Sequence, residues 1–359
     1  MSTKTALIMA GGTGGHIFPG LAVAEALREA GWTVHWLGGK GSVDAPSMES
    51  QLVPARGFAF EPVEFSGVRG KGFMTLLRLP LRLLKAFAQS RAVLRLVKPD
   101  VVVGLGGYIT FPAGLMAAWM KIPLVLHEQN SVAGMANKQL ASRADLVFCA
   151  FPDVLKNGLW VGNPLRTAFT QQADPATRFA GRSGPLKLLV VGGSLGARAL
   201  NEIVPQALAL MPQESRPWVA HQSGAKQIDA LRANYEAAGV SADLTPFIED
   251  TAQAFAEADV IICRAGASTV TEIAAVGAAA IFVPFPAAVD DHQTTNAQFL
   301  VTQGGGWLEP QANLTPQSLA DLLAGLTREE LMKRAIKAKS MEKLGATEAV
   351  VLACEELAR

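Results

Sequence analysis

Two α/β domains, each a parallel β-sheet covered by helices, are predicted for this chain by three features of its sequence. Short apolar runs alternate with helix-length stretches, the strand-like runs end in glycine-rich turns, and the whole pattern starts afresh near residue 186. Strands buried on both faces read as continuous apolar runs, the mark of a parallel sheet with helices on either side. The length of 359 residues agrees with two domains of roughly 100–200 residues each.

The first series runs through "ALIMA" (6–10), "TVHWLG" (33–38), "VVVGLG" (101–106), "PLVLHE" (123–128) and "LVFCA" (146–150), with helices expected at 19–30 and 112–120. The second begins with "LKLLVVGGSLGARALNEIVPQALALMP" (186–212), which repeats the grammar of residues 4–31: strand, Gly-Gly-Ser/Thr, a further small residue, helix. Strands follow at 218–224, 244–249, 260–266 and 279–286. This is duplication of a Rossmann-like architecture, not a short-period repeat. The join falls near 161–169 and the polar stretch 171–185, giving domains 1–164 and 165–339. The C-terminal stretch 328–359 reads as helical and amphipathic and is free to pack on either domain, with a helix at about 340–359 assigned to the first.

Composition narrows the function classes. A net charge of +1 gives no polyelectrolyte signal for nucleic acid. Three scattered cysteines, Cys149, Cys263 and Cys354, argue against a disulfide framework and for a reducing compartment. No ligand spacing suggests zinc. The N-terminal "MSTKTALIMAGG" reads as the first strand and not as a signal peptide, and no apolar run is long enough for a transmembrane helix.

The glycine turns carry the first chemical signal. Residues 11–15, "GGTGG", place four glycines between a strand and a helix. Such a unit aims backbone N–H groups and a helix N-terminus above the sheet edge, where anions bind. A tight connection without ligand is the competing reading, but the device recurs at 192–196 and a third glycine cluster lies at 104–114. Two domains facing across a cleft would line it with all three. The dinucleotide fingerprint is incomplete, because Ile17 stands where the third glycine belongs and the next strand ends in Gly38-Gly39 without an acid. A Walker P-loop is absent from the sequence.

In the second half, "CRAGASTVTEIAAVG" (263–277) ends a strand and opens a helix with small residues and hydroxyls. Exposed amides and the helix dipole there suit a diphosphate. Glu272 is either a first-turn carboxylate or an acceptor for two ribose hydroxyls. In "FPAAVDDHQTTNAQ" (285–298), Asp290 and Asp291 read as capping and surface residues more readily than as a metal site. Gln293 and Asn296 share a helical face and are either surface polar groups or readers of sugar hydroxyls.

Taken together and in order, "GGTGGHIFPGLAVA", "GLGGYITFPAG", "LHEQNSVAGMANK", "GNPLR", "GGSLGARALN", "CRAGASTVTEIAA" and "DDHQTTNA" resemble the motifs of the peptidoglycan N-acetylglucosaminyltransferase family over residues 11 to about 300. The resemblance implies the glycosyltransferase B fold, two Rossmann-like domains facing across a cleft. It implies inverting transfer of GlcNAc from UDP-GlcNAc to the 4-hydroxyl of MurNAc-pentapeptide on undecaprenyl diphosphate. The place implied is the cytoplasmic face of the bacterial inner membrane, as a peripheral enzyme of cell-wall synthesis, cell shape and cell division. Partners would be the two substrates, an anionic membrane surface and cell-wall assembly proteins, with no nucleic acid and no cofactor. Another UDP-sugar transferase or epimerase of the same fold is the alternative, and a binding module without catalysis is the non-enzymatic one.

Carried over by residue, the resemblance puts Arg166 and Ser194 at the donor diphosphate and the Ile248 backbone at the uracil edge. Ala267, Ser268, Thr269, Val270, Thr271 and Glu272 would hold phosphates and ribose, with Gln293 on the GlcNAc. Thr13, Gly14, Gly15 and Asn130 match first-domain substrate positions and join the donor-binding set. His292 departs from the second glutamine that some relatives carry, which leaves open whether it or Gln293 reads the sugar.

A direct displacement needs a base at the acceptor hydroxyl. His16 is one candidate, since imidazole titrates near neutrality, with a turn-capping role as the alternative. Glu128 is the other, with a structural pair of His127 and Glu128 as its alternative. Positive charge for the departing UDP would come from Arg166 and the helix N-terminus at 266–269, without an obligatory metal. Finally, residues 65–99 hold eight Lys or Arg and no acid. Within them "FMTLLRLPLRLLKAF" (73–87) interleaves cations with bulky apolar residues, interrupted by Pro80. Phe73, Leu76, Leu77, Arg78, Leu81, Arg82 and Lys85 are therefore expected at an anionic membrane. A core helix with a solvated basic face is the competing reading.

Overall fold

The computed structural model describes residues 3–42, 45–65, 79–193 and 196–358. It separates into two units, Met1–Leu165 with Leu344–Arg359, and Arg166–Lys343.

Unit 1 contains, in order, β1 (Thr5–Met9), α1 (Gly14–Glu29), β2 (Thr33–Gly39), α2 (Met48–Ala55), β3 (Ala59–Val63) and α3 (Leu79–Val97), followed by β4 (Val101–Gly104), α4 (Thr110–Trp119), β5 (Leu124–Glu128), α5 (Met135–Leu140), β6 (Leu146–Cys149) and β7 (Leu159–Trp160). Its strands form one sheet in the order β3-β2-β1-β4-β5-β6-β7. Every pairing is parallel. Along β1, Ala6 and Ile8 face a core shared with Leu21, Ala24 and Leu27 of α1. Leu7 and Met9 face the opposite core, with Ala113 and Ala117 of α4. That alternation is the period of two that puts successive side chains on opposite faces.

Unit 2 contains α6 (Thr167–Thr170), α7 (Pro175–Phe179), β8 (Lys187–Val191), α8 (Arg198–Leu210), β9 (Trp218–Gln222), α9 (Ile228–Ala238), β10 (Asp243–Thr245), α10 (Thr251–Glu257) and β11 (Val260–Cys263). Then come α11 (Ala267–Val276), β12 (Ala280–Phe282), α12 (His292–Val301), β13 (Gly306–Leu308), α13 (Pro316–Ala324) and α14 (Arg328–Lys339). The sheet order is β10-β9-β8-β11-β12-β13. The last helix, α15 (Ala346–Leu357), belongs to unit 1, where Val350, Ala353 and Cys354 join the core beside α1. The amphipathic C-terminal segment thus divides, with α14 on unit 2 through Leu331 and Ala335.

Each sheet reverses its strand order once, between β1 and β4 and between β8 and β11. Ligands of open α/β sheets bind outside the carboxyl ends of the strands at such a point. Met9 pairs with Gly104, and Val191 with Cys263. The turns beginning at residues 11 and 105 therefore flank one switch point, and those beginning at 192 and 264 the other.

Differences from the sequence reading have physical causes. β3, β7 and β13 were not expected, and all three are edge strands. An edge strand is only half covered, so it lacks a continuous apolar run, and β3 even carries Pro62. The strand expected at 244–249 pairs only through Thr245, because Pro246 has no N–H to donate. Helix α1 begins at Gly14, not at 19, with Pro19 inside it. Pro80 is the second described residue of α3, and the part of the expected 73–87 segment before Leu79 lies outside the described residues.

Candidate active site

In unit 1 the first glycine turn is shaped by a residue the sequence reading missed. Glu49 of α2 is fully buried. Its carboxylate accepts hydrogen bonds from the amides of Gly39 at 3.2 Å and, weakly, Gly12 at 3.4 Å. A Cβ on Gly11 would fall 2.5 Å from its Oε1. Gly38 and Gly39, noted for lacking a ribose-binding acid, are thus where this carboxylate arrives from another element. Gly11 and Gly12 admit Glu49 and the Tyr108 ring, and Gly12 also has φ +93°. Gly14 and Gly15 follow as the first two residues of α1. Thr13 is the N-cap of α1, but its hydroxyl makes no cap hydrogen bond.

His16 stands in the first turn of α1, partly buried. Its ring lies against Gly106, where a Cβ would come within 3.0 Å of Nδ1 and Cε1. Nδ1 is 2.8 Å from the side-chain oxygen of Gln129. Nε2 has no hydrogen-bond partner among the described residues.

Glu128, the competing base, is differently placed. It is 1% exposed at the end of β5. Its oxygens accept from the Asn130 amide at 3.0 Å, the Gly134 amide at 2.9 Å and Asn137 Nδ2 at 2.9 Å. Asn130 Nδ2 adds a longer contact at 3.4 Å. A carboxylate so occupied pins the loop from Asn130 to Gly134, and Asn130 is held by it. His127 is buried too, and burial holds its pKa down at about 4, so the ring is neutral.

In unit 2 the turn after β8 is held from below by Gln222, whose side-chain oxygen accepts from the Gly193 amide at 3.1 Å while its nitrogen donates to the Gly193 carbonyl at 3.1 Å. Gly196, at φ +77°, lies so close to the Ser223 carbonyl that a Cβ would collide with it. Ser194 lies outside the described residues.

Helix α11 opens beneath the same switch point. Its N-cap is Gly266, so no side chain covers the first amides. The Ser268 hydroxyl is buried and has no partner among the described residues. Ala267 supplies only a methyl, and Thr269 is partly buried. The next two residues turn their side chains into the unit. Val270 is fully buried in the core and its amide donates to Gly266. The Thr271 hydroxyl donates back to the carbonyls of Ala267 and Ser268, both at 3.0 Å.

Glu272 is partly buried and makes no hydrogen bond among the described residues. Burial raises its pKa to about 7, and the guanidinium of Arg166 works in the opposite direction. Arg166 itself rests 5.0 Å from the centre of the Phe169 ring. Ile248 lies partly buried between β10 and α10. The side-chain oxygen of Gln293 accepts from the Phe285 amide at 2.8 Å. Just before it, Asp290 and Asp291 both adopt left-handed backbone, with φ 53° and 50°. Asp291 is the N-cap of α12 but makes no side-chain cap hydrogen bond, and its carboxylate accepts instead from the Thr294 hydroxyl at 2.7 Å. Arg264, expected only as a strand end, donates to the carbonyls of Val283 and Pro284 and to the side-chain oxygen of Gln311, fixing the strand end that leads into this loop.

The predicted membrane residues Phe73, Leu76, Leu77 and Arg78 lie outside the described residues. Leu81 is 71% exposed on α3, with Leu84 beside it at 65%. Lys85 is not a free cation as expected, because it forms an ion pair with Glu64. Among the described residues no helix is long and apolar enough to cross a membrane, and no three His, Cys, Asp or Glu side chains are grouped to hold a metal ion.

Two switch points, each with an open helix N-terminus, and a carboxylate poised beside one of them describe an enzyme that handles a sugar nucleotide. Residues 6–149 match the Glycosyltransferase family 28 N-terminal domain and residues 187–352 the Glycosyltransferase family 28 C-terminal domain. A protein of Polaromonas naphthalenivorans described as UDP-N-acetylglucosamine--N-acetylmuramyl-(pentapeptide) pyrophosphoryl-undecaprenol N-acetylglucosamine transferase is 74% identical over 355 residues, covering 99% of each chain. A protein of Polaromonas sp. with the same description is 72% identical over 359 residues, covering 100% of this chain and 93% of its own. The crystal structure of Acinetobacter baumannii MurG superposes with a TM-score of 0.86 at 40% identity, covering 98% of this chain and 99% of that one. The chain belongs to this family of glycosyltransferase 28 enzymes, the N-acetylglucosamine transferases acting on pyrophosphoryl-undecaprenol-linked N-acetylmuramyl-pentapeptide.

Proposed function

We propose that the chain moves GlcNAc from UDP-GlcNAc to the 4-hydroxyl of MurNAc in undecaprenyl-pyrophosphoryl-MurNAc-pentapeptide, with inversion. Family membership supports the substrates. The observation that carries the chemistry is His16, with Nδ1 bonded to Gln129 and Nε2 without a partner among the described residues. In the step, the acceptor O4 gives its proton to His16 Nε2 and forms a bond to C1 of GlcNAc. The bond from C1 to the β-phosphate oxygen breaks, and UDP departs with the electron pair. The uncapped amides of α11, the Ser268 hydroxyl and Arg166 are the groups of unit 2 that would meet the growing phosphate charge. Glu272, lacking an internal partner, would accept from the ribose hydroxyls, and the NH2 of Gln293 would read the GlcNAc.

The acceptor is lipid-linked, and α3 presents exposed Leu81 and Leu84 in a segment rich in cations. These support peripheral attachment to the anionic cytoplasmic face of the inner membrane. Calorimetry with UDP-GlcNAc, UDP-GalNAc and UDP, followed by turnover with the lipid acceptor, tests the reading. Binding of UDP-GlcNAc that weakens for UDP-GalNAc, and turnover that falls about 10²–10⁴-fold in His16→Gln with donor affinity kept, are expected. Indifference of turnover to His16→Gln would refute the base assignment, and equal turnover of both sugars would refute the donor.

A further inference from the structure

The hydrogen bonds behind His16 form a chain whose polarity is fixed from its far end. Gly162, at φ +88°, presents its carbonyl oxygen 2.8 Å from His127 Nε2. A carbonyl only accepts, so Nε2 of His127 carries the hydrogen. His127 is buried and neutral, so its Nδ1 is a bare acceptor. The side chain of Gln129, itself 1% exposed, places one end 3.1 Å from that Nδ1 and 3.0 Å from the His127 carbonyl oxygen. Two acceptors on one side require the NH2 there. Its oxygen therefore faces His16, 2.8 Å from Nδ1, and Nδ1 of His16 must donate to it.

From this geometry we infer that Gln129 is a positioning residue: with His127 and the Gly162 carbonyl it locks His16 in the Nδ1–H tautomer, leaving the Nε2 lone pair for the acceptor hydroxyl. A neutral histidine side chain in water favours the opposite tautomer, so the relay reverses an intrinsic preference. A neutral amide has a second consequence. The carboxylate of a Ser-His-Asp triad orients its histidine and also stabilises the imidazolium that forms. Gln129 orients without adding a charge. The inference rests on His16 as the base, but its central claim is readable without turnover.

The test is nitrogen NMR of the full chain labelled with 15N-histidine. The chain has five histidines, and the signals of His16 are those lost in His16→Gln. The expected spectrum near neutral pH shows His16 protonated at Nδ1 and bare at Nε2. In Gln129→Met the population moves toward Nε2–H, and kcat falls about 10–100-fold while KM for UDP-GlcNAc and the circular dichroism spectrum are kept. A purely structural role for Gln129 would move the unfolding midpoint and not the tautomer. Wild-type His16 protonated at Nε2 would overturn the relay, and this reading needs no variant to fold. An unchanged tautomer in folded Gln129→Met would overturn it as well. Full turnover in His16→Gln would instead remove the base assignment and with it the purpose of the relay, even with the tautomer as expected.

Discussion

Gly107 lies so close to Gly11 that a Cβ on Gly107 would strike the carbonyl oxygen of Gly11. The turn after β4 thus rests backbone to backbone on the turn after β1, and Thr110 ties them by donating to the carbonyls of Met9 at 3.1 Å and Gly106 at 2.7 Å. Gly107 also has φ +83°, the left-handed region that glycine alone enters freely. We expect Gly107→Ala to destabilise unit 1 by about 2–5 kcal/mol through strain and overpacking together. Gly31, at φ +86° with open space around it, is the control, and Gly31→Ala should cost only about 1 kcal/mol. Denaturant unfolding of the two variants checks this, and equal losses would show that the approach of the two turns is loose.

Glu272 should make donor binding depend on pH. Its folded pKa, about 7, lies above the ordinary 4.5. The folded chain therefore holds an extra proton between these values, and this residue's contribution to stability falls as pH rises from 4.5 to about 7 and is level above. The ionised form is the better acceptor for ribose hydroxyls. Calorimetric affinity for UDP-GlcNAc is expected to rise between about pH 6 and about pH 8. In Glu272→Gln the affinity should be weaker and flat with pH, whereas a persisting slope would assign the dependence to another group.

Glu128→Gln should act on stability before chemistry. It replaces a buried carboxylate that three donors approach within 3.0 Å. We expect a loss of about 2–4 kcal/mol, read as a lower unfolding midpoint. Unchanged stability with a displaced pH–rate profile would support Glu128 as the base.

Membrane attachment is expected to depend on Leu81 and Leu84, both largely exposed. Binding to vesicles containing anionic lipid should weaken with salt, and Leu81→Asp with Leu84→Asp should weaken it further. Lys85→Glu should matter less than a free cation's ~1 kcal/mol, because Lys85 is already paired with Glu64. Binding that ignores the leucine changes would move the contact elsewhere on the chain.

Turnover should persist in excess chelator, within about twofold, if Arg166 and the α11 amides carry the leaving charge. Arg166→Ala is then expected to lower kcat more than it weakens binding of uridine. Abolition of turnover by chelator would reassign that charge to a divalent ion.

Much of this protein was settled along the chain itself. The apolar runs ending in glycine turns, and their recurrence after residue 186, are local patterns, and a strand covered on both faces must be apolar throughout. The motif order identified the family for the same reason: small residues at 11–15, 192–196 and 266–269 are needed wherever backbone must approach closely. Edge strands escaped because half of each is solvated. The roles of the acids and histidines escaped because they depend on pairings that no local pattern records. Glu49 reaches Gly39 from another element, Glu128 spends its oxygens on a loop that follows it, and His16 meets Gln129 across 113 residues of sequence. The register that places β1 beside β4, and β4 beside β5, brings His16 and Gln129 within hydrogen-bond distance. Side-chain type is written in the chain, but which lone pair remains open is decided by what the fold packs behind it.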